Sequence, residues 1–439
     1  MDTRKYMYGC LIVLWQSAVF AVDFDSSITA TSQWAVNTRN GESQSLNLNL
    51  VPELSASFDS GWKIQSSVRL RTEAIDGMQP SDINRSSYSD YSKPALLNGA
   101  VELELRELFL QGAIGDIFLT IGKQQVVWGK ADGLKVLDIV NPQSFREFIL
   151  DDFDSSRIPL WTLNIERNVA DWDLQFLWIP DQTYHAIPEQ NATYRFTSPE
   201  LVPSPPPGVL VNIEQDKRPN NVFLDSDVGL RASTFWNGWD ITFNYLYQYD
   251  NLPVLRQRIS IVNGNPVVTI SPEYERTHVI GSTFSNAFSD WVVRGEIGFF
   301  TEHYFIGKNP LLNQGVVKSP ELHYVLGLDW NAPWDLFLSG QLIQSWLINN
   351  ADKSTRDKLD TTLTGLIQRN FLYDTLTAEL LVIFNTNNGD GIIRPKISYE
   401  WQDNFKTWLG ADIFYGDRQG VFGQYDQNDR IVVGMKVSF

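Results

Sequence analysis

The sequence predicts an all-β fold, a transmembrane antiparallel β-barrel of about 18 strands with 16 the nearest alternative, on three observations. The chain ends on a strand in which Ile431, Val433, Met435, Val437 and Phe439 alternate with Arg430, Val432, Gly434, Lys436 and Ser438. One apolar and one small or polar face, ending on an aromatic residue, suit the closing strand of an outer-membrane barrel. Alternating segments of roughly 10 to 15 residues recur from Asp25 to Phe439, separated in turn by short connections and longer polar ones. The 439-residue chain is 43% hydrophobic. Yet no window past the amino terminus holds the roughly 18 uninterrupted apolar residues of a membrane helix, so strands must do any spanning.

Residues 1–21 read as a secretory signal: Arg4 and Lys5 precede the apolar run Leu11 to Trp15, and Val19-Phe20-Ala21 resembles a cleavage site. Residues 22–439 are then the barrel. Cys10 follows Gly9, as in a lipoprotein, but almost no apolar stretch precedes it. It is the only cysteine, so cleavage after Ala21 leaves no thiol and no disulfide framework. The net charge of -17 disfavours nucleic acid as a partner, because phosphate contact needs the opposite sign.

Strands are expected near 25–36, 44–58, 61–75, 99–112, 116–128, 160–168, 171–181, 222–236 and 238–249, then near 274–286, 290–302, 318–331, 334–347, 358–371, 374–386, 390–402, 405–416 and 427–439. The even count puts both termini on the periplasmic side. Short turns such as Asp59-Ser60-Gly61, Ile114-Gly115-Asp116 and Asn237-Gly238 carry residues that tolerate tight-turn dihedrals. Tryptophans follow five turns, at 62, 172, 239, 291 and 334, each with the parity of its strand's apolar face. That is the pattern of an aromatic girdle at headgroup depth. The longer outer connections include 182–221, whose Pro203 to Gly208 run cannot join a ladder, and 250–273, which contains a hairpin turning at Asn263-Gly264-Asn265.

The polar parity assigns an inner wall to Lys63, Arg69, Arg71 and Glu73; Glu102, Glu104 and Arg106; Arg231; Arg294 and Glu296; His323; and Arg394, Lys396 and Glu400. Lipid-facing charges would each cost about 2–4 kcal/mol near the midplane. These side chains therefore either line a permeation path or pair across strands to hold the wall together. Leu108, Leu110, Leu177, Ile179, Leu381 and Ile383 also take inward parities and would form an apolar track.

The connection 129–159 reads as a plug or constriction. Asn141 suits a helix cap and Pro142 the first helical position, and Phe145, Phe148 and Ile149 fall on one side at helical spacing. Arg146, Asp151, Asp152 and Arg157 complete the candidate constriction residues. The segments Gly122-Lys123-Gln124-Gln125-Val126-Val127-Trp128-Gly129, Leu137 to Pro142 and Arg157-Ile158-Pro159-Leu160-Trp161 resemble a large bacterial family of unknown function. Its members are described as outer-membrane barrels similar to phosphate-selective and alginate-export porins. The resemblance implies a barrel, and through the family's usual context a periplasmic carrier and an inner-membrane exporter as partners. It implies no catalytic residue.

His185, His278, His303 and His323 have no metal-ligand spacing and read as surface imidazoles. The Asp151, Asp152, Asp154 run lacks a calcium-loop pattern. No catalytic set, metal site or cofactor motif emerges, with His185 the one weak hydrolase candidate. The expected function is a porin-like channel or transport barrel for small or amphipathic solutes. The alternatives are a lipid or hydrophobe conduit working with that carrier and exporter, and an adhesive barrel. Outer-membrane lipid and, through the strand ending at Phe439, the barrel-assembly machinery are the other expected partners.

Overall fold

A computed structural model describes residues 22–78, 87–131, 134–189 and 191–439. The candidate signal at 1–21 lies outside the described residues. Among the described residues, eighteen antiparallel strands close into a barrel, with the short strand Ala95–Asn98 paired to one of them as a nineteenth member of the sheet. In chain order they are Val22–Asn37, Ser43–Phe58, Lys63–Glu73, Val101–Ile114, Ile117–Gln124, Leu160–Val169, Trp172–Ile179, Asp227–Trp236 and Trp239–Tyr249, followed by Arg276–Phe288, Trp291–Ile306, Val316–Ala332, Leu336–Leu347, Leu359–Phe371, Leu376–Asn385, Asp390–Gln402, Phe405–Tyr415 and Arg430–Ser438. The last strand pairs with the first, Asn37 opposite Arg430 and Thr29 opposite Ser438, so no edge is left open.

Alternation decides the wall. Ile280, Ile297, Leu326, Ile397, Leu409 and Val433 are exposed on the outside, part of an aliphatic belt far larger than a water-soluble monomer displays. Trp291 and Trp330 stack outside one turn at 4.9 Å. Asn237 and Gly238, both at positive φ, make the two-residue hairpin whose twist matches the flanking strands. The start of the first strand and Phe439 both lie at the end with the short turns, Val22 opposite Phe58 beside the turn at Gly61 and Phe439 N–H donating to the Ile28 carbonyl.

Two bulges break the sequence parity. Opposite the pair Ser67 and Val68, the strand Val101–Ile114 carries an extra residue between Leu105 and Glu107. Past it, Leu108 and Leu110 are 38% and 37% exposed on the outer face, which corrects their expected place in an inner apolar track. Glu107 instead accepts the Gln125 N–H at 3.1 Å. Leu110→Arg should then cost up to about 2–4 kcal/mol of barrel stability, whereas Gln111→Arg should be tolerated. Urea unfolding of the two variants checks this: an equal effect would return Leu110 to the lumen. The second bulge, between Phe300 and His303, turns His303 inward.

At the other end the expected hairpin forms as Val254–Val262 with Asn265–Glu273. Leu210–Ile213, immediately beyond the proline run, joins it as a parallel third strand that periodicity did not indicate. The connection following Trp172–Ile179 crosses the mouth. Thr197 N–H donates to Gln424 at 2.7 Å, and Tyr425 Oη donates to the Tyr194 carbonyl at 3.0 Å.

Candidate transport path

The described residues of the segment 125–159 pack against the inner faces of the wall strands, held from several sides. The pairing charges of the Lys63–Glu73 and Val101–Ile114 walls meet the segment's second half. Arg69 pairs with Glu104 at 2.5 Å and donates to the Ser155 carbonyl. Arg106 donates to the carbonyls of Asp154 and Arg157, and Arg146 lies 3.9 Å from Glu73. Opposite them, Arg430 bridges Glu147 at 2.7 Å and Asp412 at 2.8 Å, while Arg394 reaches Asp412 and the Leu150 carbonyl. On a third side, Glu296 accepts the N–H groups of Lys130, Ala131 and Leu137, Arg294 donates to the Lys130 carbonyl, and Lys130 Nζ meets Asp240. The cost of burying these ionic groups is offset because each finds a counter-charge or several hydrogen bonds.

Apolar packing seats the same segment. Trp128, Val136, Leu137 and Val140 form one core with Leu177, Ile179, Leu246, Val279 and Phe300 of the wall. The wall makes room with glycine. A Cβ on Gly281 or Gly298 would stand 2.7 or 2.8 Å from Leu137, and one on Gly229 would stand 2.9 Å from the Trp128 ring. A second core joins Phe148 and Leu150 to Ile383, Ile392, Phe414, Phe422, Tyr194 and Tyr425. Leu177, Ile179, Leu381 and Ile383 are inward as expected, but they serve as seats rather than an open track.

The expected helix at 141–150 does not form. Ser144 N–H and Phe145 N–H donate instead to the carbonyls of Ser156 and Ala186, which removes the local bonds a helix would need. Phe148 closes a tight turn at φ 53, a rare setting for a bulky residue, fixed by its aromatic neighbours. Asn141 caps nothing. Its Oδ1 accepts Val126 N–H at 2.6 Å and its Nδ2 donates to Ile158 at 2.9 Å, stapling the two ends of the insertion together. Pro142 offers its carbonyl to Ile158 N–H. Among the described residues of the insertion, the helical turn is Phe153–Ser156, which Asp152 precedes, and Arg157 beyond it pairs with Asp138 at 2.8 Å.

The remaining inner-wall residues fall where parity put them. Arg71 stands 4.0 Å from Glu102. Arg294 pairs with Asp329, Lys396 lies over the Trp408 ring, and Glu400 is 3.4 Å from Lys406. Lys63, beside the short turn at Gly61, and Arg231, in the middle of its strand, share the inward parity of Ser67 and Gly229. Pairing within the wall and contacts with the segment 125–159 therefore account for most of these charges.

Toward the long connections lies a chamber of about 1120 Å³, bordered by Phe145, Phe148, Ile149 and Asp151 of the insertion. Phe300, His303, His323 and Ile343 form part of its wall. Here the histidine expectation is corrected. Glu321, fully buried, receives His303 at 2.5 Å, His323 at 2.7 Å and Arg356 at 2.6 Å, while His303 also meets Asp250 at 2.9 Å. His278 alone keeps an outer position, stacked on Tyr247. His303 was missed because straight parity turned it outward; only the bulge re-aims it.

His185 is enclosed too. Its Nδ1 accepts Gln143 N–H at 2.8 Å and its ring meets Phe145 edge-on, so it fastens the insertion to the connection that follows Trp172–Ile179. Burial pushes its pKa down to about 4. Protonation would destroy the acceptor. Because the depressed value favours the neutral form, this contribution is complete above about pH 6.5 and lost as pH falls toward 4, a change of up to about 3 kcal/mol. Channel opening should rise over that window, and His185→Gln should flatten the response; an unchanged pH profile in the variant would contradict the role. Lys135, also on the chamber, is pushed down to about 8 by burial despite Asp138 at 3.6 Å.

The family model described as "Protein of unknown function (DUF1302)" matches residues 37–439. The chain belongs to this family. No curated protein matches it. Among solved structures, this DUF1302 chain is similar to OccAB2 of Acinetobacter baumannii, with a TM-score of 0.52 at 8% identity over 95% of this chain and 98% of that one. It is similar to OccK2 (OpdF) of Pseudomonas aeruginosa, solved with glucuronate, with a TM-score of 0.52 at 10% identity over 95% and 97%. A BenF-like porin of Pseudomonas fluorescens gives 0.51 at 10% over 95% and 98%. At these identities the likeness is one of fold, a porin-type barrel matched nearly end to end.

Proposed function

We propose that this DUF1302 protein is an outer-membrane transport barrel, porin-like in construction and not an enzyme, that passes small or amphipathic solutes around or past the segment 125–159. The observation that carries this reading is a closed barrel with an aliphatic outer belt and a lumen that holds a separately tethered insertion beneath a chamber of about 1120 Å³. A barrel of this strand number is too wide for wall side chains alone to fill, so the insertion sets the bore. The porin-type neighbours support a channel fold in the outer membrane. In this reading both termini lie in the periplasm.

Proteoliposomes containing the purified, heat-modifiable protein should admit small solutes faster than protein-free vesicles. Correctly folded protein that transmits no neutral, anionic or cationic solute would overturn the reading.

A further inference from the structure

We propose that the chamber is a binding site for an uncharged, largely apolar molecule carrying a hydrogen-bonding end, an inference that rests on the transport reading above. The chamber, at about 1120 Å³, is at the upper limit of ordinary ligand pockets. Its boundaries are mainly hydrocarbon: Phe145, Phe148 and Ile149 from the plug, Val202 from the mouth, and Phe300 and Ile343 from the wall. Apolar lining with a few convergent polar groups is the chemistry that holds an amphipathic guest by its body and orients it by its end.

One set of polar groups converges on a single wall, apart from Lys135, Asp138 and Asp151 on the side of the insertion and Arg195 and Glu200 on the side of the mouth. His303, His323 and Arg356 all border the chamber and all face Glu321 behind it, with Asp250 and Asp360 at the flanks. Ser345, which also borders the chamber, donates to Glu321. These charges are already matched to one another. A guest with a full charge would have to displace an existing partner on this wall, whereas a hydroxyl or carbonyl needs only a hydrogen bond at His323 Nδ1 or the Arg356 guanidinium, since both ring nitrogens of His303 are engaged by Glu321 and Asp250. Glucuronate, bound by OccK2, is therefore a poor match for this wall.

The test uses the full chain in amphipol, titrated with the uncharged fluorophore N-phenyl-1-naphthylamine. Saturable binding of one probe per chain is expected, displaced by decanol and not by glucuronate. Ile149→Trp and Val202→Trp, each filling the chamber from a loop, should weaken binding at least tenfold while keeping the heat-modifiable barrel. Equal binding by both folded variants, or displacement by glucuronate as effective as by decanol, would overturn the assignment. Solute entry into proteoliposomes is read separately. A barrel that passes solutes but binds no probe loses the ligand assignment and keeps the transport reading.

Discussion

Arg430→Met is expected to destabilise the folded protein by about 3–5 kcal/mol, because it strips the shared cation from two buried carboxylates. Arg430 is among the most enclosed large side chains, and it joins Glu147 of the insertion to Asp412 of the adjacent strand. Removing it leaves Asp412 with Arg394 and leaves Glu147 with Arg146 at 3.7 Å, a longer contact. Glu147→Gln keeps the shape and an acceptor and should cost less, about 1–3 kcal/mol. Urea unfolding of the reconstituted barrel measures both. Equal and negligible losses would mean that the insertion is not fastened at this point.

Gly298→Leu should unseat the insertion with the barrel intact. A Cβ alone would come within 2.8 Å of Leu137 Cδ2, and Gly281 on the neighbouring strand leaves Leu137 no alternative space. Overpacking of this kind costs about 1–3 kcal/mol, and loss of the Leu137 seat carries with it the N–H bond from Leu137 to Glu296. Each 1.4 kcal/mol is a factor of ten in the seated-to-unseated ratio, so open time should rise roughly tenfold or more. Adding Leu137→Ala should restore part of the closed state, since the smaller side chain clears the new leucine. A variant that conducts as the parent does would show that the glycine pair is not the seat.

The strand scaffold was legible because its signals are local and periodic: alternation, turn chemistry at Asn237-Gly238, and the closing strand through Ser438 and Phe439. Within each strand, side-chain direction was legible as far as a bulge and reversed beyond it. Leu108, Leu110 and His303 went astray because an inserted residue leaves no mark in hydrophobicity while reversing every later parity. The insertion could be recognised as lumenal, but its conformation could not. Phe145, Phe148 and Ile149 have helical spacing, yet their backbone partners lie in Ser156 and Ala186, and a long-range bond of that kind has no sequence period. A readable clue was passed over: Gly229, Gly281 and Gly298 stand at inward positions of otherwise regular strands, where the missing side chain marks a close approach by another element.

The measurement that tests the account most directly is single-channel conductance in a planar bilayer, comparing the intact chain with one in which residues 141–150 are replaced by a short Gly-Ser linker. That exchange removes Phe148 from its aromatic seat and Glu147 from Arg430 while keeping all eighteen strands. The account predicts small or infrequent steps for the intact protein and several-fold larger, long-lived steps for the linker variant. Identical conductance in a correctly folded variant would contradict it, because the segment seated in the lumen would then not be what closes the path.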